Sequence, residues 1–150
     1  MVIKILSVGS KPSQDISSII SDYQKRLPRN ISIVWQYLKS SNTGDVHTSK
    51  QQESESILRA INDSEKVILL DETGKNISSP ELSKQVFSDK QNVVFIIGGA
   101  YGVSEKVFKR ADFVWSLSKL VFPHQLVRAM LAEQIYRSYT ISINHPYHHN

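Results

Sequence analysis

The stretch Phe95–Gly102, FIIGGAYG, ends an apolar run on two glycines, with a third three residues later. Glycines at the end of a buried strand let a ligand or another stretch of backbone approach closely, as in phosphate-binding loops. The spacing here is not the G-x-G-x-x-G of dinucleotide sites. No lysine followed by Ser or Thr completes a nucleoside triphosphate loop, and Asp112, the nearest candidate for a ribose-binding acid, does not follow a second strand. A tight turn accounts for one such glycine more comfortably than for three. Close approach of a ligand or of another chain segment is therefore expected.

A second unusual stretch is Ser116–His124, SLSKLVFPH. Loops at strand ends are usually polar, whereas this one is rich in Leu, Val and Phe. Exposed, it would be a liability, so it is expected to be buried against a second subunit, a flat apolar ligand such as adenine, or the core. His124 and Arg128 follow, four apart and so on one face of a helix's first turn, an arrangement suited to an anionic or polar substrate. The plainer alternative is that His124 caps the helix while Arg128 pairs with Glu133 or Asp112. Glu133 and Arg137 have the spacing of a surface ion pair. The tail NHPYHHN carries three of the five histidines. With no second ligand cluster to complete a site, no metal is expected. The tail's aromatic and cationic mix also suits a nucleic-acid base or backbone.

These residues need elements to hold them. Val2–Val8 is apolar almost throughout and predicts a strand buried on both faces. Ile16, Ile19, Ile20, Tyr23 and Leu27 fall at helical spacing after Ser13, a candidate cap, and Pro28 ends that helix. Ile31, Ile33, Trp35 and Tyr37 alternate as in a half-covered strand. A polar loop then runs into a helix marked by Ile57, Leu58 and Ile61. KVILLDETG predicts a third strand ending in an acid and a glycine turn, and SSPEL a helix start with Ser79 as cap and Pro80 in first position. Asn92–Ile97 is a fourth strand, a short helix capped by Ser104 follows, and DFVWSLS is a fifth strand. From Pro123 a long helix carries Leu126, Val127, Met130, Leu131, Ile135 and Tyr139 on one stripe. Five strands alternating with five helices predict an α/β fold, a mainly parallel sheet flanked by helices in a single domain over residues 1–150. Ligand sites in such sheets lie beyond the carboxyl ends of the strands, where LLDETG, IIGGAYG and SLSKLVFPH would converge.

Composition sets wider bounds. The chain has 150 residues, 40% hydrophobic and 21% charged, with no cysteine, which excludes disulfides, thiolate metal sites and a cysteine nucleophile. The N-terminal apolar run is too short for a secretory signal and no segment is long enough to span a bilayer, so a cytoplasmic protein with no membrane partner is expected. The net charge of +4 suits a polyanionic partner such as RNA, and equally an ordinary soluble domain.

FIIGGAYG, WSLSKLVFPHQLVR and NHPYH together resemble the RlmH family, small bacterial methyltransferases of the SPOUT class. The likeness runs essentially end to end and includes VGS after the first strand, DYQKR in the first helix and LLDETGK after the third strand. It implies an α/β-knot whose C-terminal segment forms a trefoil knot. It implies S-adenosylmethionine as cofactor, held by Leu70, Gly98, Leu117, Ser118, Lys119, Leu120, Val121 and Phe122. The implied reaction is methylation of N3 of a pseudouridine in 23S ribosomal RNA within assembled ribosomes. The implied assembly is a homodimer whose active site is completed by the second subunit's tail. His124, Arg128, Tyr147 and His148 are the catalytic candidates, with Arg128 stabilising the nucleotide or its phosphate and Tyr147 and His148 beside the target base. The sequence departs from the family at its last residues, HHN, so His149 inherits no role. Lys25, Arg26 and Lys119 are candidates for RNA contact. A bulky residue at Gly98 is expected to abolish cofactor binding while leaving the fold intact. The rival readings are another SPOUT activity such as ribose methylation of transfer RNA, a non-enzymatic RNA-binding domain, and a nucleotide-binding domain of another kind.

Overall fold

The computed structural model describes residues Met1–His149. Ten elements alternate along the described residues: β1 (Val2–Val8), α1 (Gln14–Lys25), β2 (Ser32–Leu38), α2 (Val46–Arg59), β3 (Lys66–Asn76), α3 (Ser79–Phe87), β4 (Val93–Ile97), α4 (Glu105–Arg110), β5 (Phe113–Ser116) and α5 (His124–Ser142). The five strands form one sheet in the order β2-β1-β4-β3-β5, and every neighbouring pair is parallel.

The apolar runs of β1, β3 and β4 are explained by two cores, one on each sheet face. Alternate residues serve alternate faces. Ile3 and Ile5, Ile68, and Val93, Phe95 and Ile97 pack against Leu82 and Val86 of α3 and Leu131 and Ile135 of α5. Leu6 and Val8, Val67 and Leu69, and Val94 and Ile96 pack against Ile57 of α2 and Val107 of α4. The edge strand β2 is covered on one side only: Ile33, Trp35 and Tyr37 are half-buried while Ser32, Val34 and Gln36 are exposed.

Several local expectations are corrected. Helix α3 is capped by Ser78, whose hydroxyl accepts from the Glu81 N–H while the Glu81 carboxylate accepts from the Ser78 N–H at 2.8 Å. This reciprocal box shifts the start one residue towards the N-terminus, so Ser79 lies inside the helix. Ser13 and Ser104 occupy cap positions but make no side-chain capping bond. Ile19 and Leu126 are exposed, so the apolar stripes of α1 and α5 are narrower than their sequences suggest. Asp112 is structural, accepting from the Val67 N–H at 2.7 Å.

The largest departure is β3, which does not end at its glycine turn. The chain leaves the sheet at residues 71–74 and then rejoins it. Trp115 of β5 therefore pairs with both Leu70 and Lys75, and Ser116 pairs with Asn76. This excursion and the end of β5 lie at the carboxyl end of the sheet, where the candidate site is built.

Candidate functional site

A cavity of about 580 Å³ opens at the carboxyl ends of β3, β4 and β5. The three loops singled out in the sequence converge there. Leu70, Gly98, Leu117, Ser118, Leu120, Val121 and Phe122 line it, as does His124. Lys119 does not line it and is exposed. The 117–122 loop takes its shape from short-range bonds. The Ser116 hydroxyl donates to the Ser118 carbonyl at 2.8 Å, and the Leu120 N–H donates to the Ser118 hydroxyl at 3.0 Å. Asn76 joins this loop to β3 by donating to the Ser116 carbonyl at 3.0 Å.

Further residues line the cavity that sequence reasoning did not assign: Asp71, Glu72 and Thr73 from the β3 excursion, Tyr101 from the glycine turn, Trp115, and Lys50 from α2. The LLDETG loop was legible as a site element, though its acids were not. Lys50 gave no signal, because it stands in a polar stretch with no motif around it.

The opening glycines are held chiefly by their own chain. A methyl group on Gly98 would sit 2.9 Å from Val103 Cγ1 and 3.4 Å from the Gly102 carbonyl carbon. One on Gly99 would collide with the Glu53 carboxylate of α2. Gly102 has φ +73° and donates its N–H to the Gly99 carbonyl at 3.0 Å, closing the turn. Gly98 therefore lines the cavity and also packs against Val103, so a bulky residue there would disturb folding as well as the wall.

Arg128 does not reach the cavity surface. It is 2% exposed, and its guanidinium donates to the Ser7 hydroxyl at 2.9 Å, the Ser10 carbonyl at 2.8 Å and the Val8 carbonyl at 3.3 Å. It also lies 5.3 Å from the centre of the Tyr37 ring. It pairs with neither Glu133 nor Asp112. Its role in the fold is to hold the VGS turn after β1 against α5. One turn earlier, His124 is half-buried, and burial together with the Arg128 charge pushes its imidazole below the ordinary value.

Tyr147 and His148 lie outside the cavity wall and dock on their own chain's α5. The Tyr147 ring meets Tyr136 edge-on at 4.8 Å, and its hydroxyl donates to Glu133 Oε1 at 3.2 Å. Arg137 lies 4.8 Å from the centre of the Tyr147 ring, bonds Glu133 at 2.5 Å and contacts His148 Nδ1 at 3.3 Å. The Glu133–Arg137 pair, expected on the surface, is instead the partly buried anchor of the tail. Burial first, then hydrogen bonding to Tyr23 and the Glu133 charge, pushes the Tyr147 phenol well above the ordinary tyrosine range. His149 is exposed. The catalytic candidates thus fall into a cavity group, His124, and a tail group, Tyr147 and His148, with Arg128 in the interior.

Among the described residues no group of three or more His, Cys, Asp or Glu side chains is arranged to hold a metal ion. Nor, among the described residues, is any helix long and apolar enough to cross a membrane. The family model described as "Predicted SPOUT methyltransferase" matches residues 1–148. The chain is 40% identical to a protein of Christiangramia forsetii and 39% identical to one of Flavobacterium johnsoniae, in each case over 99% of both chains. It is 41% identical to a protein of Desulfitobacterium hafniense, over 97% of this chain and 98% of that one. All three relatives are named ribosomal RNA large subunit methyltransferase H. A match over nearly the whole length, on a parallel sheet whose carboxyl end holds the cavity, leads to one conclusion: the chain belongs to the SPOUT methyltransferase family.

Proposed function

We propose that this protein transfers a methyl group from S-adenosylmethionine to N3 of a pseudouridine in 23S ribosomal RNA within the assembled ribosome, acting as a homodimer. The observation that carries the reading is the cavity itself. Its wall contains every residue the family resemblance assigns to the cofactor except Lys119. A volume of about 580 Å³ lies within the range of roughly 300–1,000 Å³ for small-molecule sites. Leu70, Leu117, Leu120 and Phe122 offer apolar surface for an adenine ring, and Asp71 and Glu72 offer acceptors for hydroxyl and ammonium groups. A ligand without phosphate also agrees with the missing phosphate-loop spacing.

When bound, this cofactor supplies a methyl group activated by a positive sulfur. The chain must then orient the base and manage the proton on N3. His124, with its imidazole pushed down, is neutral at pH 7 and can accept a hydrogen bond or that proton. A guanidinium only donates, so His148 Nδ1 is the acceptor in its contact with Arg137, and Nε2 is the ring nitrogen left to face the base. Tyr147, held protonated, gives its one proton to Glu133 Oε1, so towards the base it offers only its ring and an acceptor oxygen. In the proposed dimer these tail groups belong to the partner's site. Arg128 acts as a positioning residue for the β1 turn. Support for the dimer comes from Leu120 and Val121, 71% and 84% exposed on the cavity rim, with Leu126 exposed nearby on α5. Support for the knot comes from the excursion at residues 71–74, which lies against the end of β5 just before the chain turns into α5. Lys25, Arg26 and Lys119 are exposed and suit phosphate contacts, Arg26 being paired with Asp22 at 2.6 Å.

The test is to incubate the protein and labelled S-adenosylmethionine with ribosomes lacking the modification, with free 23S RNA and with transfer RNA, and to map the methyl group. Label on the pseudouridine in ribosomes alone is expected. Label on a ribose, or no label, would overturn the reading.

A further inference from the structure

Helix α2 has an unusual inner face. Lys50, Glu53, Ser54 and Ile57 follow the i, i+3, i+4, i+7 spacing of a buried stripe, yet only Ile57 is apolar. Glu53 is 6% exposed, and Ser49 and Ser54 are also buried. Each is spent on a backbone donor. Glu53 Oε1 accepts from the Ser41 N–H at 2.8 Å, the Ser49 hydroxyl from the Thr43 N–H at 3.2 Å, and the Ser54 hydroxyl from the Ser104 N–H at 2.8 Å. The other Glu53 oxygen abuts Gly99. A helix held by apolar packing alone can rotate with little loss. This one is pinned, because turning it would strand buried donors and acceptors.

The residue this pinning orients is Lys50. It is half-buried and lines the cavity with Gly99, Ala100 and Tyr101. Among the described residues it is the only Lys or Arg in the cavity wall, and its ammonium has no ion-pair or hydrogen-bond partner there. The same wall carries two carboxylates, Asp71 and Glu72. Asp71 Oδ1 is occupied by the Thr73 N–H at 2.9 Å and the Thr73 hydroxyl at 2.6 Å, while Glu72 is exposed. One uncommitted Lys and two acids in the same cavity wall match a ligand with an amino-acid end, which carries both signs.

We propose that Lys50 binds the α-carboxylate of the ligand's amino-acid end. The proposal rests on the cofactor reading above and adds a residue to it. An RNA phosphate is the alternative partner for Lys50, but the side chain lies in the cavity wall rather than with the exposed Lys25, Arg26 and Lys119.

The test is equilibrium binding by calorimetry to the full chain without RNA. The three probes are S-adenosylhomocysteine, decarboxylated S-adenosylmethionine, which lacks only the carboxylate, and 5′-methylthioadenosine, which lacks the whole amino-acid end. Lys50→Ala is expected to weaken S-adenosylhomocysteine about tenfold, the effect of one partly solvated charge-assisted hydrogen bond. Affinity for the other two probes should stay within about twofold of the wild-type values. Lys50→Arg should recover most of the loss, and melting temperatures should match, since Lys50 holds nothing in the fold. Unchanged S-adenosylhomocysteine affinity in Lys50→Ala, or an equal loss for all three probes, overturns the assignment. In a separate titration with 23S RNA, a Lys50→Ala chain that keeps its S-adenosylhomocysteine affinity but loses RNA binding would give Lys50 to a phosphate and overturn the assignment too. If the wild-type chain binds none of the probes, the cofactor reading itself fails and this assignment falls with it.

Discussion

Gly74 lies directly on the backbone of Trp115: a side-chain carbon there would sit 2.7 Å from the Trp115 carbonyl carbon and 2.8 Å from its nitrogen. The contact arises because Trp115 pairs with β3 on both sides of the excursion, so the loop between must hug the strand. Backbone cannot move aside as a side chain can. Gly74→Ala is therefore expected to destabilise the protein by roughly 1–3 kcal/mol, measured by urea denaturation. Gly102→Ala is the control. It has open space around it but φ +73°, so its cost should be only the left-handed strain of about 1–2 kcal/mol. Gly98→Val should lower both the melting temperature and ligand affinity. A variant that binds no ligand yet melts like wild type would mean that Val103 yields freely.

Arg128 carries three hydrogen bonds from α5 to the turn after β1. Removing it leaves the buried Ser7 hydroxyl and Val8 carbonyl, and the part-buried Ser10 carbonyl, without this donor. Arg128→Ala should cost roughly 2–4 kcal/mol in urea denaturation. Arg128→Lys should recover only part, because a single ammonium cannot reproduce the guanidinium fork. Wild-type stability in Arg128→Ala would show that the turn does not depend on this residue.

His124 makes stability depend on pH. Its imidazole titrates near 6.5 in the unfolded chain and lower in the fold, where burial and Arg128 oppose the charge. Between those two values the unfolded chain binds the extra proton. The His124 contribution is therefore full above about pH 6.5 and is lost as the pH falls below it. Melting temperatures of wild type and His124→Gln between pH 5 and 8 should diverge in slope on the acid side, with the variant losing less. Parallel curves would mean that His124 titrates alike in both states.

Leu120 and Val121 stand 71% and 84% exposed at the cavity rim, an adjacent apolar pair that a partner subunit would cover. Replacing both with Asp should shift sedimentation from dimer to monomer while secondary structure, read by circular dichroism, stays intact. A wild-type chain that sediments as a monomer at micromolar concentration, or a doubly substituted one that stays dimeric, would remove this rim from the interface.

The sequence by itself determined the elements and their order. Val2–Val8 is apolar almost throughout, and Val67–Leu70 and Val93–Ile97 are apolar at consecutive positions, because both sheet faces are covered, and that pattern marks a parallel sheet without reference to contacts. It also marked the three loops that form the cavity, because glycines and exposed-looking leucines at strand ends break the local rules. Only the tertiary structure decided what each side chain does there. Arg128 looks like a site residue four positions from His124, yet it points into the interior because Ser7, Val8 and Ser10 come to it from the other end of the chain. Gly74 reads as a turn until Trp115, 41 residues later, passes across it. Lys50 becomes a cavity residue because Glu53, Ser49 and Ser54 fix the rotation of its helix. Short-range patterns encode which segments fold and which face is apolar. Contacts between segments far apart in the chain depend on how the strand ends converge, and no local spacing records that.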